Sequence, residues 1–559
     1  MKDIDRNYMI DNPLPHGDKF DSLNTNMMGF NGAVVTNHWL ASSVGKAILE
    51  QGGNAFDAAC AVSFALGVAE PQMSGIGGDG FIMLYEKRHN KLKVINGTGP
   101  APEYSDKIGN KIPMKGIKSS SVPGLVSAVI EMHENFGKLD LKKCIQPAID
   151  LCSNGVPLSA SQYTTLSAES KMKDYDSSMR IWGDDNDQFK KTGDKITNLD
   201  LATSLSEIAN EGSDAFYRGK IAEKIIKFSN HHDGLLSSED LNNFQAEIQD
   251  PIRTSYRGFT VYEAPPNSSG ITLLQQLNII ENFSPSDLIP LTGPAIHLMV
   301  EAKRLSFFDR EKYLADPKFV DVPVKRLLSK EYAESLAKKI SIKGPKIPEE
   351  DLKLSYKPDV VGDTTYFAVL DNEGNAVSQL QSIQTAWGSG LVVKDTGILM
   401  NNRMTYWHLD PTHVNYLVPG KRVRHTMNPV MIFSNENLDN KLKLICGTPG
   451  ADTQVQTNMQ VISALIDHKA TVSEAVSLPR WTHYQNLTES TAPHSTPEFV
   501  SIEDRVDEKA IRYIESLGHS IKKTEAWGGS GSEGMIHVSP SGLISAAVDP
   551  RRDGQALVW

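Results

Sequence analysis

The sequence predicts a mixed α/β (α+β) fold, and three observations carry that expectation. Residues 115–345 are helical in pattern almost throughout, broken by one β-rich stretch, YRGFTVYEAPP. Residues 340–360 are polar and rich in Pro, Lys and Glu, with no apolar periodicity, which reads as an exposed linker. Directly after it come two strand-like runs, TTYFAVL (364–370) and AVSQLQSI (376–383), joined by the turn residues Asn372, Glu373, Gly374 and Asn375.

The other elements follow in order. Residues 1–30 are polar and irregular, with Pro13 and Pro15, and read as a loosely ordered lead-in. A short apolar strand is expected at 33–36. Helices are expected over 41–51 and 55–69, parted by the stop-and-restart run Gly52-Gly53-Asn54. MSGIGGDGFIMLYE is a glycine-rich turn feeding a strand at 81–85. Within the helical middle, 124–136, 201–209 and 294–314 stand out, and Pro294 suits a first helical position. Short strands recur at 391–400, 428–434 and 442–446. A helix near 453–466 and a βαβ-like stretch to Trp559 close the chain.

Composition narrows the function classes. The chain has 559 residues, 40% apolar and 22% charged, with a formal net charge of −11. That acidity argues against a broad nucleic-acid or anionic-membrane surface. The most apolar stretch, 58–69, is too short to span a bilayer and is flanked by Asp57 and Glu70. The first twenty residues lack an apolar signal region, so a cytoplasmic location is expected. The four cysteines form no C-x-x-C pair and read as buried thiols.

Several chemistries are missing from the sequence. There is no G-x-x-x-x-G-K-[ST], no G-x-S-x-G and no H-E-x-x-H, and His231-His232 sits in a polar stretch. Gly75–Gly80 does spell G-x-G-x-x-G, but it follows a helix and feeds a strand, opposite to a dinucleotide site. A tight turn with close backbone packing is expected there. No cofactor and no metal are expected.

One threonine has the setting for covalent catalysis. A threonine hydroxyl needs a base beside it, and an N-terminal threonine carries one, its own α-amine. Such an amine has an ordinary pKa of about 7.7–8.0, near working pH. An internal threonine reaches that state when its hydroxyl attacks the preceding carbonyl and water releases the resulting ester. Gly362-Asp363 before Thr364-Thr365-Tyr366-Phe367 supplies a small polar context, a linker before the threonine and a strand after it. Taken alone, Asp-Thr-Thr before a strand is also an ordinary strand start.

Longer blocks raise that candidate. GGNAFDAACAVSFALGVAEPQMSGIGGDGF, SVPGLV (121–126), APPNSSG (264–270), GDTTYFAVLDNEGNAVS (362–378), WGSGLVVKDTGILMNNRM, GTPGAD (447–452) and DPRRDG (549–554) resemble, in order, the gamma-glutamyltranspeptidase family of N-terminal-nucleophile hydrolases. The resemblance covers about 31–559. It implies a four-layer αββα sandwich, self-cleaved into large and small subunits. Here these would be 31–363, behind the lead-in 1–30, and 364–559, together one intertwined catalytic domain. It implies cleavage between Asp363 and Thr364, with Thr364 as nucleophile, Thr365 near it, Ser382 hydrogen-bonded to it, and the N–H groups of Gly450 and Ala451 as oxyanion hole. Alanine at 451 suits that role unless the backbone there needs φ > 0. The implied partners are a small-molecule amide, water or an amine acceptor, and the chain's own cleaved subunit, with no nucleic acid and no membrane.

The substrate-binding positions depart from the family pattern. NGTGPAP (96–102) has no arginine where the family holds a substrate carboxylate. Gln384 stands for an asparagine, Arg403 for a glutamine, Tyr406 for the aspartate that would hold an α-ammonium, and His425-Thr426 for paired serines. An ammonium site that has lost its anion and gained a cation suits an acidic acyl group without an ammonium. Arg403, with Arg424 a further candidate, would then bind its carboxylate, or Arg403 would make a structural ion pair. The expected activity is gamma-glutamyltransferase-like amide hydrolysis or transfer. The alternatives are an acylase for a glutaryl- or oxamate-like amide and an unprocessed inactive scaffold.

Overall fold

The structure, a computed structural model, describes residues 25–343, 362–434 and 441–559, with only the backbone described at Gly362 and Asp363. Residues 1–24 of the expected lead-in and 344–361, which hold most of the expected linker, lie outside the described residues.

Two seven-stranded antiparallel sheets form the centre. Their strands, in chain order, are β1 (Met27–Gly29), β2 (Ala33–Thr36), β3 (Asp79–Glu86), β4 (Lys91–Gly97), β5 (Glu247–Gln249), β6 (Ile252–Tyr256) and β7 (Phe259–Glu263), then β8 (Gly362–Leu370), β9 (Ala376–Thr385), β10 (Val430–Ser434), β11 (Lys441–Gly447), β12 (Gly534–Val538), β13 (Ile544–Val548) and β14 (Gln555–Val558). One sheet runs β14-β2-β8-β9-β3-β4-β5, the other β1-β13-β12-β11-β10-β7-β6. The lead-in therefore does not stay irregular to residue 30. Met27–Gly29 pairs antiparallel with Ile544–Ala546.

Helices cover both outer faces. On the first sheet lie α1 (Trp39–Glu50), α2 (Ala55–Ala69) and α3 (Leu125–Phe136), with α4 (Leu141–Asn154) packed on α2 and α5 (Leu199–Glu211) on α4. On the second lie α6 (Gly270–Ile280), with α7 (Gly293–Tyr313) packed on it, and α8 (Gln454–His468). The layers run α-β-β-α, as expected. The helix starts follow from local chemistry. Asn54 Oδ1 accepts from the N–H groups of Phe56 and Asp57, and Asp57 Oδ2 accepts from Asn54 N at 2.9 Å. This reciprocal cap is worth about 1 kcal/mol. Pro294 sits in the first turn of α7, as its fixed φ favours.

Strand alternation sorts the core. Phe367 and Val369 of β8 pack under the first helix layer, while Tyr366, Ala368 and Leu370 point at the other sheet, among Met431, Ile445 and Ile536. The glycines of the 75–80 turn serve close approach, as the sequence suggested. A Cβ on Gly78 would lie 2.2 Å from the Ser382 carbonyl oxygen, and one on Gly77 2.2 Å from that of Leu399.

Candidate active site

The hairpin expected at 364–383 forms as β8 and β9, and its ladder breaks at one place. Asp363 pairs with Gln384 and Thr365 with Gln381, so Thr364 alone faces Ser382 and Ile383. Such a bulge re-aims the side chains around it. Thr364 is 3% exposed, and its Oγ1 donates to Ser382 Oγ at 3.4 Å. Ser382 Oγ also accepts from Gln384 N at 2.8 Å, which ties the serine to the bulge. Gln384 is left-handed, at φ 89°. Its Nε2 donates to Thr491 Oγ1 at 2.9 Å, and its Oε1 is buried without a protein partner among the described residues. Thr365, expected near the nucleophile, follows the bulge directly, and its buried Oγ1 has no partner among the described residues.

Beside β8, strand β11 runs through Thr448 and Pro449 into a tight turn that opens α8. Gly450 has φ 120° and Ala451 φ 49°. The condition set for alanine at 451 is thus met in the unfavourable sense, because an L-residue in the left-handed region costs roughly 1–2 kcal/mol. At Gly450 a Cβ would lie 2.4 Å from Thr453 Oγ1. Neither the Gly450 nor the Ala451 N–H donates to a protein acceptor among the described residues. Two unpaired donors at a helix N-terminus suit a developing oxyanion.

The remaining expected residues form a buried polar group. Arg403 donates from Nε and Nη2 to Asp79 at 3.1 and 2.9 Å, and its guanidinium lies 4.7 Å from the Tyr406 ring centre. His425 Nδ1 accepts from Met427 N, so its Nε2 carries the proton that faces Asp79 Oδ2 at 3.1 Å. Burial alone would raise the Asp79 carboxyl, but Arg403 and His425 hold it below the usual range. Burial and the Arg403 cation push His425 down to about 4, so it is neutral at pH 7. Tyr406 and Thr426 hydroxyls meet at 3.4 Å. Of the two roles open to Arg403, the geometry shows the ion pair. Arg424 is likewise paired, with Glu311. Burial would raise that glutamate, but the Arg424 and Arg310 cations hold it well below the carboxylate range.

Sequence reasoning had missed Asp79, Glu311, Asp452 and the segment 488–492. A charged residue inside the glycine run 75–80 was the available signal for Asp79. His231 and His232 are exposed, as expected.

A sequence model of the family described as Gamma-glutamyltranspeptidase matches residues 41–559. The chain belongs to the gamma-glutamyltranspeptidase family. It is an enzyme of that family's N-terminal-nucleophile type, an amidohydrolase or acyltransferase. It is 35% identical to the glutathione hydrolase-like YwrD proenzyme of Bacillus subtilis over 96% of this chain and 100% of that one. To the glutathione hydrolase proenzyme of Escherichia coli it is 33% identical over 91% and 89%. Among solved structures, the cephalosporin acylase from Bacillus halodurans superposes with a TM-score of 0.86 at 31% identity, covering 98% of this chain and 99% of that one. Family members are made as proenzymes, processed into two subunits, and act on small molecules. No helix among the described residues is long and apolar enough to cross a membrane.

Proposed function

We propose that the chain cuts itself between Asp363 and Thr364 and then uses Thr364 as the nucleophile of an amidohydrolase. One observation carries this reading: the Thr364 hydroxyl stands at a bulge, bonded to Ser382, beside a turn with two unpaired N–H groups. In processing, Thr364 Oγ attacks the Asp363 carbonyl, the peptide becomes an ester, and water releases it. The products are the Asp363 carboxylate and a free Thr364 amine. In turnover, that amine takes the hydroxyl proton as Oγ attacks the substrate amide. The Gly450 and Ala451 N–H groups hold the oxyanion, and losing one such donor costs about 3–4 kcal/mol of barrier. The proton passes to the leaving amine, and water or an amine resolves the acyl-enzyme.

For the acyl group, the pocket favours the acylase side of the family. Tyr406 offers no charge to an α-ammonium, and the Asp79 carboxylate is already held by Arg403 and His425. An acidic or neutral acyl group without an ammonium meets no unpaired charge there. The cephalosporin acylase likeness supports this, and the names of the curated relatives support the gamma-glutamyl reading. A hydrolysis panel of gamma-glutamyl, glutaryl and oxamate-type amides separates the two, and turnover of the gamma-glutamyl amide alone overturns the pocket argument. A cytoplasmic location fits four unpaired, buried thiols, and cell fractionation tests it.

Denaturing electrophoresis tests the processing. Scaling 61.5 kDa by 363/559 and 196/559 gives bands near 40 and 21.5 kDa. Thr364→Ala should leave one full-length, inactive band. A wild-type chain that stays whole refutes the proposal.

A further inference from the structure

Consecutive residues of one loop reach both halves of the site. Ser490 donates to the Asp452 carboxylate from its backbone N and from its Oγ, each at 2.7 Å. Asp452 directly follows the oxyanion donor Ala451. Arg310 of α7 donates to the same carboxylate from Nη1, and to the Thr488 carbonyl from Nη2. One residue on, Thr491 Oγ1 accepts from Gln384 Nε2, and Gln384 is the left-handed residue that pairs with Asp363 at the edge of the bulge. Ala492 N donates to the Thr405 carbonyl at 2.8 Å. Ser490, Asp452 and Arg310 are all buried.

The two ends of this chain of contacts need support. Ala451 and Gln384 both hold positive φ without being glycine. Backbone in that state persists only where its surroundings over-determine it. Displacing a reacting group by about 1 Å can cost about a hundredfold in rate.

We propose that Asp452, Ser490 and Thr491 form a positioning bridge that sets the distance between the Thr364 hydroxyl and the Gly450/Ala451 N–H pair. The bridge rests on the reading of Thr364 as nucleophile. None of its three residues touches the reacting atoms. They act through Gln384 and the oxyanion turn.

The test compares processed wild-type enzyme with Asp452→Asn, Thr491→Val and the double variant, on an amide that the wild type hydrolyses. An alkyl boronic acid serves as a second probe. Its boron takes the Thr364 Oγ lone pair, the hydroxyl proton moves to the α-amine, and a boron-bound oxygen enters the oxyanion site. Each single variant should lower kcat about tenfold or more, with KM within about twofold. Boronate affinity should fall in parallel. The double variant should lose less than the product of the singles, since both cut one bridge. Thr491→Ser should restore kcat. A folded Thr491→Val with kcat within twofold of wild type overturns the bridge, as do multiplicative losses or a rise in KM at constant kcat. If Asp452→Asn fails to fold or process, the Thr491→Val and Thr491→Ser pair decides. Turnover retained in Thr364→Ala overturns the nucleophile reading instead, and the bridge with it.

Discussion

Replacing Asp79 by Asn takes away the carboxylate shared by Arg403 and His425. The Arg403–Asp79 pair has side chains 2% and 0% exposed and two charged hydrogen bonds. Leaving one partner of such a pair charged and alone costs about 3–5 kcal/mol. Asn still accepts one hydrogen bond, which places the loss near 3 kcal/mol. Unfolding entropy of about 2.1 cal/mol/K per residue makes this a fall of only about 2–3 °C in Tm for 559 residues. A urea midpoint is therefore the better assay, run in a Thr364→Ala background so that one chain unfolds. Arg403→Met removes the cation, and Asp79→Asn combined with Arg403→Met should recover much of the single-variant loss. Asp79→Asn as stable as its parent, or a double loss equal to the sum of the singles, refutes the pairing argument. Turnover gives a second readout in the mature enzyme: with its counter-ion gone, Arg403 should lower KM for an anionic acyl group relative to a neutral one.

Other expectations concern the nucleophile, its turn and acid stability. Ser382→Ala should slow acylation about tenfold in single-turnover kinetics, with little change in substrate binding, because it removes the bond to Thr364 Oγ1. Ala451→Gly should raise the unfolding free energy read from urea titration by about 0.5–1 kcal/mol, the left-handed strain relieved less the entropy of glycine, with kcat within twofold. His425 is held near 4 when folded, against an ordinary value of 6.5. The unfolded chain alone takes that proton as pH falls, so the stability contributed is complete above 6.5 and lost between 6.5 and about 4. The stability difference between wild type and His425→Gln should stay flat above pH 7 and shrink by up to about 3 kcal/mol by pH 4.

Local chemistry made much of this molecule readable. The β-branched run at 364–370 forms β8, the Asn54–Asp57 cap starts α2, and Pro294 opens α7. The residues of the nucleophile and the oxyanion turn came from family blocks rather than from patterning. What stayed hidden depends on groups distant in the chain. Arg403 and Asp79 lie 324 positions apart, and no periodicity in either segment announces their pairing. Met27–Gly29 becomes a strand only because 544–546 lies alongside it. The resemblance, not patterning, put Thr365 near the nucleophile, and its buried Oγ1 has no partner among the described residues. The left-handed backbone at Ala451 is a property of the turn between β11 and α8, and alanine itself gives no sign of it.

The order of strands in the first sheet bears on how the mature enzyme could be remade after denaturation. β8 lies between β2 and β9, and β9 in turn lies against β3. Strands from before residue 363 thus lie among strands from after it, and neither piece owns a sheet. An uncut chain reaches this arrangement alone, with every strand tethered to the rest. If it is severed before Thr364, as proposed, two polymers must meet in solution and interdigitate before either has a core. Maturation then acts as a ratchet: folding is intramolecular on the way in and bimolecular on the way back. Recovery from urea should depend on protein concentration for the mature enzyme and not for Thr364→Ala.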